Sequence, residues 1–188
     1  MGSAVRIGAA LISLAGLAQA DLNFTPRVEE YDLEGVKLKQ LTFADGERRV
    51  IYTPPKKWEY SGSGNRLVLH PTTESAAEAV ITVSKTQRQE VFDEATTKRL
   101  CDEVLASVPG GSINTTLVSQ QMNPLQIERK DTFLVVINYD YYSQPCTRSV
   151  MFLNRQNEQV RFQLTCYRDA FRDLQKAFQN SHYSWQNL

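Results

Sequence analysis

Residues 132–153 read TFLVVINYDYYSQPCTRSVMFL and predict two neighbouring strands of a β-sheet. In the first strand, alternate residues of 133–141 are Phe, Val, Ile, Tyr and Tyr and line one face, whereas Leu134 and Val136 line the other. The second strand contains an unbroken apolar run over residues 150–153. A strand that is apolar on both faces is typically covered on both sides. We therefore expect a central sheet with a packed layer on each face.

Two amphipathic helices can supply these covering layers. The first is predicted over about residues 90–108, where apolar side chains form one broad stripe that ends at Pro109-Gly110-Gly111. The second is predicted to begin after Asp169, its expected N-cap residue, and to run to about residue 180. Consecutive strands that are joined by short turns usually pair antiparallel. We therefore expect an α+β fold, a three-layer α/β/α sandwich with a largely antiparallel sheet.

Shorter strands precede the first helix. Asp45-Gly46 predicts a hairpin turn, and Pro54-Pro55 ends the strand that follows it, because proline cannot donate to a strand ladder. The apolar pattern changes phase near Lys39-Gln40, which predicts a bulge or a break there. Residues 158–167 alternate between apolar and polar and predict the last strand before the second helix.

The first 20 residues are typical of a secretory signal peptide. Arg6 gives a positive start, residues 7–17 form an apolar core, and Ala18-Gln19-Ala20 fits the small-x-small cleavage rule. The apolar run is shorter than the roughly 20 residues that a membrane-spanning helix needs. We therefore expect cleavage after Ala20, export to the periplasm or the medium, and no stable membrane insertion afterwards. The alternative is an N-terminal membrane anchor.

The rest of the chain is expected to have two parts. Residues 21–35 contain few large apolar side chains and a cluster of acidic ones, which predicts a loose N-terminal arm. Residues 36–188 are expected to form a single domain, because their number is sufficient for one buried core. The chain carries 21 basic and 21 acidic side chains and has no net formal charge. We therefore expect no nucleic-acid partner, since nothing in this balance attracts phosphate.

The chain contains three cysteines. Cys101 lies on the apolar stripe of the first predicted helix and is expected to be a buried thiol. Cys146 and Cys166 lie on opposite arms of a predicted hairpin. If Asn154 pairs with Glu158, the two cysteines lie directly opposite each other, and we expect them to stay close even if the register is shifted by one or two residues. An exported protein could then form a Cys146–Cys166 disulfide. A pair of free thiols remains the alternative.

The sequence contains no catalytic, cofactor-binding or metal-binding signature. His70 and His182 lack the spacing of metal ligands. Ser63 has a glycine on each side in a flexible segment, which does not match the nucleophile elbow of hydrolases. We therefore expect no catalytic, cofactor or metal residues and no enzymatic activity. A hydrolase that pairs Ser63 with His70, or Cys166 with His182, is kept as the last alternative.

Two stretches resemble the PsbP-like family. Residues 52–58 read YTPPKKW, a strand that ends in prolines and a tryptophan, and residues 160–166 read VRFQLTC and lead into the final helix. That helix carries Phe171, Leu174, Phe178 and Ser181. With the order of elements, the likeness covers about residues 36–185. The family includes an extrinsic photosystem II subunit, a Ran-binding nuclear import factor and uncharacterised bacterial proteins. The resemblance implies an α/β/α sandwich and an accessory, non-catalytic role, and it assigns no partner.

Aromatic side chains provide the candidate partner surface. Tyr and Trp are enriched at interfaces because they bury a large area and keep a polar group. We expect a contact surface formed by Trp58, Tyr60, Tyr183 and Trp185. The alternative is that these residues belong to the core and its rim. The favoured function is an exported, non-catalytic accessory or binding protein with an unknown protein partner. The second is a small-ligand carrier with a pocket between a helix and the sheet.

Overall fold

The computed structural model describes residues 21–33 and 35–188, so the signal peptide predicted over residues 1–20 lies outside the described residues. In chain order, the strands are β1 Leu22–Leu33, β2 Val36–Asp45, β3 Arg48–Tyr52, β4 Trp58–Ser63, β5 Arg66–Pro71, β6 Glu78–Lys85, β7 Ile113–Met122, β8 Thr132–Tyr141, β9 Gln144–Asn154, β10 Glu158–Tyr167 and β11 Gln186–Asn187. The α-helices are α1 Glu94–Ala106 and α2 Phe171–Ser181, and α2 is followed by a 3₁₀ turn at His182–Ser184.

The strands form two antiparallel sheets. The large sheet has the order β4-β5-β6-β10-β9-β8-β7, and the small sheet has the order β1-β2-β3-β11. The predicted α+β class and antiparallel pairing are therefore confirmed. The second sheet was not expected from the sequence. Strands β1, β2 and β3 pair in sequence order, and the C-terminal tail adds β11 beside β3, where Gln186 pairs with Ile51 and Asn187 with Val50.

Both faces of the large sheet are covered. Leu100 and Val104 of α1 pack against Val135 and its neighbours on one face of β8. Leu134 and Val136 point to the opposite face and share a core with Phe178 of α2. The two helices thus lie on opposite faces, as the two-sided apolar pattern of β8 predicts. One outer layer is α1, and the other is α2 together with the small sheet, which contributes Phe24, Phe43 and Tyr52.

The segment 21–35 contains a paired strand instead of the loose arm expected from its composition. Strand β1 pairs with β2 from its beginning to its end, and its first apolar residues, Leu22 and Phe24, are fully buried. The Phe24 ring meets Phe43 edge to face at 5.2 Å between centroids. A few large side chains at one end of the strand are enough to anchor it, and the acidic residues further along can stay in water. Glu29, for example, pairs with Arg49 at 3.2 Å.

The two helices differ in how their N-termini are capped. Asp93 caps α1 by accepting a hydrogen bond from the Thr96 amide at 2.8 Å. For α2 the N-cap residue is Ala170 and no side chain caps it, so the sequence-based assignment of Asp169 as the cap is wrong by one residue. The Asp169 carboxylate instead accepts a hydrogen bond from the Ala170 amide.

Cys146 and Cys166 are both free thiols, which contradicts the proposed disulfide. Strand β10 pairs Gln159 with Asn154, one residue away from the register that would join the two cysteines. A slip of one residue moves a side chain to the other face of a sheet. Cys146 therefore packs on the α1 side and Cys166 on the α2 side. Burial raises the pKa of the Cys166 thiol to about 12, which disfavours the reactive thiolate form.

Candidate interaction surface

Three of the four aromatic residues predicted to form a partner surface lie at or near the protein surface. Tyr183 is 70% exposed and Tyr60 is 39% exposed. Trp58 is half-buried, and its ring stacks on Phe178 of α2 with centroids 5.9 Å apart and an interplanar angle of 11°. The Thr53 amide donates to Ser184 Oγ at 2.8 Å and ties the loop before Trp58 to the turn that carries Tyr183. Trp58 and Tyr183 thus flank the C-terminal end of α2.

Trp185 does not belong to that surface, and its assignment to it is wrong. It is 3% exposed and packs edge to face against Phe162 with centroids 5.2 Å apart. Its indole N–H donates to Glu128 Oε1 at 3.2 Å. The ring is buried because the following residues form β11 and hold the tail against β3. A two-residue strand carries too little pattern to be recognised in the sequence.

The two histidines do not form catalytic pairs in the described part of the chain. His182 is buried between Phe162 and Phe178, each ring centroid 4.5 Å away, and neither ring nitrogen has a hydrogen-bond partner. Burial lowers the pKa of His182 to about 3. Nδ1 of His70 lies 3.4 Å from the Ala77 carbonyl oxygen, and Nε2 lies 3.9 Å from Glu78 Oε2. The pairings with Ser63 and Cys166 are therefore not formed.

Residues 21–33 and 35–188 contain no cluster of three or more His, Cys, Asp or Glu side chains that could bind a metal ion. In the same residues, no helix is both long enough and apolar enough to cross a membrane. A cleft of about 290 Å³ lies between the start of α1 and the edge of the large sheet, where Thr97, Gln120 and Gln121 line it beside Phe92 and Phe133. This lining is more polar than that of a typical pocket for an apolar ligand.

Strand β7 forms an edge of the large sheet and presents apolar side chains to solvent. It pairs with β8 on one side, and no strand of the described chain pairs with it on the other. Its ten residues, INTTLVSQQM, include no charged residue and no proline. Its exposed apolar side chains are Ile113, Leu117, Val118 and Met122, each between 42% and 62% exposed. Edge strands usually carry charges, prolines or bulges that discourage pairing with another chain. Strand β7 has no charge and no proline, and its two register shifts against β8 lie between Ile113 and Thr116 and between Leu117 and Ser119, so its regular part is residues 119–122.

The sequence analysis predicted β7 as a weak strand and did not recognise it as a surface. Whether a strand lies at an edge depends on the order of the whole sheet, which a local pattern does not contain. One signal was available, because a ten-residue strand without any charge is unusual for a solvent-exposed position. We refer to this row of exposed main-chain groups and apolar side chains as the β7 edge.

A buried ionic cluster lies where the β2–β3 turn meets the β9–β10 turn. The Arg155 guanidinium donates to both carboxylate oxygens of Asp45 and to Glu158 Oε2. Each of the three side chains is at most 10% exposed. The main-chain nitrogen of Asp21 donates to the other oxygen of the same Glu158 carboxylate at 2.6 Å. This cluster joins the two sheets at the start of β1.

Comparison with known proteins identifies the fold. No protein-family model matches the chain, and no curated protein sequence matches it. The solution structure of cyanobacterial PsbP from Synechocystis is similar, with a TM-score of 0.52 and 14% identity over 94% of this chain and 98% of that one. The chain thus has the PsbP-like fold that residues 52–58 and 160–166 predict.

Two further solved structures are more distant. One is a Pseudomonas aeruginosa protein of unknown function described as a putative regulator, with a TM-score of 0.44 and 13% identity over 82% of this chain and 92% of that one. The other is a Bacteroides thetaiotaomicron protein, with a TM-score of 0.43 and 10% identity over 63% of this chain and 38% of that one.

Proposed function

We propose that this chain is an exported, non-catalytic accessory protein that binds another protein of the cell envelope or the medium through the β7 edge. The observation that carries the proposal is the exposure of a ten-residue edge strand that has no charge and no proline. Export is proposed from the leader pattern of residues 1–20, and a non-catalytic role from the isolation of His70 and His182 from nucleophilic side chains.

An exposed strand edge binds extended segments by a general mechanism. Its unpaired N–H and C=O groups form main-chain hydrogen bonds with an added strand, and side-chain contacts supply the specificity. On β7 the exposed Leu117 and Met122 pair with Ile137 and Phe133 of β8, so they lie on the sheet face that also carries α1. An added strand would extend this apolar face and cover those two side chains.

The expected partner is an extended segment of low charge. The β7 edge offers no ionic group to a neighbouring strand, so a lysine or glutamate placed opposite it would lose water without gaining an ion pair. Uncharged segments with alternating apolar side chains fit this edge best. The exposed Tyr183, with Tyr60 and the half-buried Trp58, is proposed as a second contact area for the same partner.

Capture from an envelope extract tests the proposal with a matched pair of variants. Val118 on β7 is 52% exposed, and Val91 in the loop before α1 is 73% exposed, so lysine at either position adds the same charge without disturbing the core. We expect the wild-type chain and Val91→Lys to capture the same partner and Val118→Lys to lose it. Equal capture by all three chains would contradict the β7 edge as the contact.

Two controls keep the interpretation clear. Hydrogen exchange of the captured complex should show new protection of the β7 amides, whereas protection elsewhere would place the contact on another surface. Size-exclusion chromatography should give a monomer, and a dimer that Val118→Lys dissociates would replace the proposed partner with a second copy of this chain. Export is tested separately by cell fractionation, in which deletion of residues 1–20 should retain the protein in the cytoplasm.

A further inference from the structure

Asp21 is fixed in place through each of its polar groups. Its main-chain nitrogen lies 2.6 Å from Glu158 Oε1. Its carbonyl oxygen accepts a hydrogen bond from the Gly46 amide at 3.2 Å. Its carboxylate lies 3.8 Å from the Lys85 ammonium. These contacts hold one residue against both sheets before β1 begins at Leu22.

The partner of that nitrogen belongs to a cluster with more negative than positive charge. Asp45 and Glu158 each contribute a carboxylate, and Arg155 contributes the guanidinium that contacts both. The Asp45 and Glu158 side chains are 7% and 8% exposed. A buried charge is costly unless a partner compensates it. Arg155 contacts both carboxylates, but its single positive charge balances only one of their two negative charges.

We propose that the peptide bond between Ala20 and Asp21 is a processing site, and that the α-ammonium group released at Asp21 binds Glu158 and completes this cluster. The inference rests on the proposed export of the chain, because the leader has to be removed to create the ammonium group. A leader peptidase would hydrolyse this C–N bond with one water, so that Ala20 leaves as a carboxylate and the Asp21 nitrogen becomes an amine that takes up a proton. A neutral amide N–H thus becomes a cation with three donors at a position that already faces a buried carboxylate. Charge-assisted hydrogen bonds are about twice as strong as neutral ones.

The surroundings of Asp21 have room for this group. A polar cleft of about 200 Å³ adjoins Asp21 and is lined by Asp45, Arg155 and Glu158. Arg48 and Lys130 also line the cleft, but neither forms an ion pair with Asp45 or Glu158 within the described residues. Lys130 instead pairs with Glu128 at 3.1 Å. The new ammonium group would therefore be the second cation in direct contact with the buried carboxylates.

Three chains test the proposal. The first begins at Asp21 with a free α-amino group, and the second retains Ala18-Gln19-Ala20, which keeps the Asp21 amide but moves the ammonium three residues away. The third begins at Asp21 and carries Glu158→Gln. Every described helix and strand lies after Asp21, so each chain contains the whole fold. We expect the second chain to melt about 4 °C below the first, which corresponds to the loss of one charge-assisted contact in a domain of this size.

The extension should have no effect when Glu158→Gln is already present, because the carboxylate that binds the ammonium is then missing. Equal melting temperatures of the first two chains, or an extension effect that persists undiminished with Glu158→Gln, would overturn the proposal. A measurement without any variant covers the case in which Glu158→Gln does not fold. NMR titration of the first chain should give an α-amino pKa above the ordinary value of about 8, and an ordinary value would also overturn it.

Amino-terminal sequencing of the protein recovered from its natural host separates this proposal from the proposed function. A mature chain that begins at Asp21 supports the site. An exported protein that begins elsewhere overturns the site and leaves export intact. A protein that is not exported removes the source of the ammonium group, and the proposed processing fails together with the proposed export.

Discussion

The Arg148 guanidinium on β9 donates hydrogen bonds to both the carbonyl and the hydroxyl oxygen of Ser107, the C-cap residue of α1. Its Nε also donates to Thr165 Oγ1 at 3.1 Å, and the group lies 5.7 Å from the centre of the Tyr139 ring. The last turn of α1 contains no basic residue of its own. A side chain of the sheet therefore provides the positive charge that favours a helix C-terminus.

Replacement of Arg148 should destabilise the fold. Arg148→Met keeps the aliphatic stem and leaves the Ser107 carbonyl oxygen without its donor, so we expect a loss of about 2–3 kcal/mol in the free energy of unfolding. Denaturant titration measures this change. Arg172 is a suitable control, because its side chain is 93% exposed and Arg172→Met should have almost no effect. Equal stability of the two variants would show that the contact with α1 is unimportant.

His182 should make the protein sensitive to acid. Burial lowers its pKa from the ordinary value of 6.5 to about 3, so the unfolded chain binds a proton at a higher pH than the folded chain does. The stability that depends on neutral His182 is therefore fully present above pH 6.5. This contribution is lost as the pH falls from 6.5 towards 3. Between pH 6.5 and 5 the loss should be about 2 kcal/mol, from the free-energy equivalent of each pKa unit.

A pair of histidine variants checks this sign and its source. We expect His182→Leu to flatten the decrease in stability between pH 6.5 and 5, even if its stability at pH 7 is lower. His70→Asn gives the control, because it removes a histidine whose side chain is 51% exposed and leaves His182 in place, so the decrease that His182 causes should persist in this variant. A wild-type stability that stays constant over this range would contradict the prediction.

The cysteines should respond to denaturation and not to reductant. All three are buried and free, and Cys166 has a pKa of about 12. We expect a thiol reagent to react with them slowly in the native protein and to titrate three thiols after unfolding. Dithiothreitol should leave the melting temperature unchanged. A fall in melting temperature on reduction would indicate a disulfide and a different register between β9 and β10.

The aromatic surface needs variants that separate binding from folding. Trp58 stacks on Phe178 and packs against the core, so Trp58→Ala should cost about 2–3 kcal/mol of stability and would confuse a binding experiment. Tyr183→Ala should leave the melting temperature unchanged, because the side chain is 70% exposed. If the aromatic surface contacts the partner, Tyr183→Ala should weaken capture more than Tyr142→Ala, which alters a residue that is 83% exposed.

The large sheet and its helices could be predicted because their signals are local. The apolar residues on both sides of β8 require two covering layers, and α1 and α2 each carry an apolar stripe. The β2–β3 turn at Asp45-Gly46 also follows from local chemistry, since Gly46 adopts a φ of 62° that favours glycine. Each of these features depends on residues that are close in the sequence, so a local sequence pattern is enough to predict it.

The small sheet was not predicted as a unit, because β1 and β11 join the predicted β2–β3 hairpin through contacts that no local pattern shows. Strand β1 is held by Phe24 against Phe43 and Gly64, and β11 by its pairing with β3. The irregularity expected in β2 near Lys39-Gln40 lies instead on the facing strand, between Asn23 and Arg27. The burial of Trp185 follows from the pairing of β11 with β3, whereas the exposure of the β7 edge follows from the strand order of the large sheet.

The small sheet also brings residues 21 and 187 close together. Asp21 and Asn187 line the same cleft, and the Asn187 side chain donates to Asp45 Oδ2 at 3.3 Å. A short glycine-rich linker could therefore join Leu188 to Asp21, with new ends opened at the exposed turn of Gly110 and Gly111. Such a circular permutant would keep every strand pair of both sheets. In this permutant the nitrogen of Asp21 is an amide and cannot become an ammonium group. Its stability therefore shows how much the strand pairing contributes without the positive charge at Asp21.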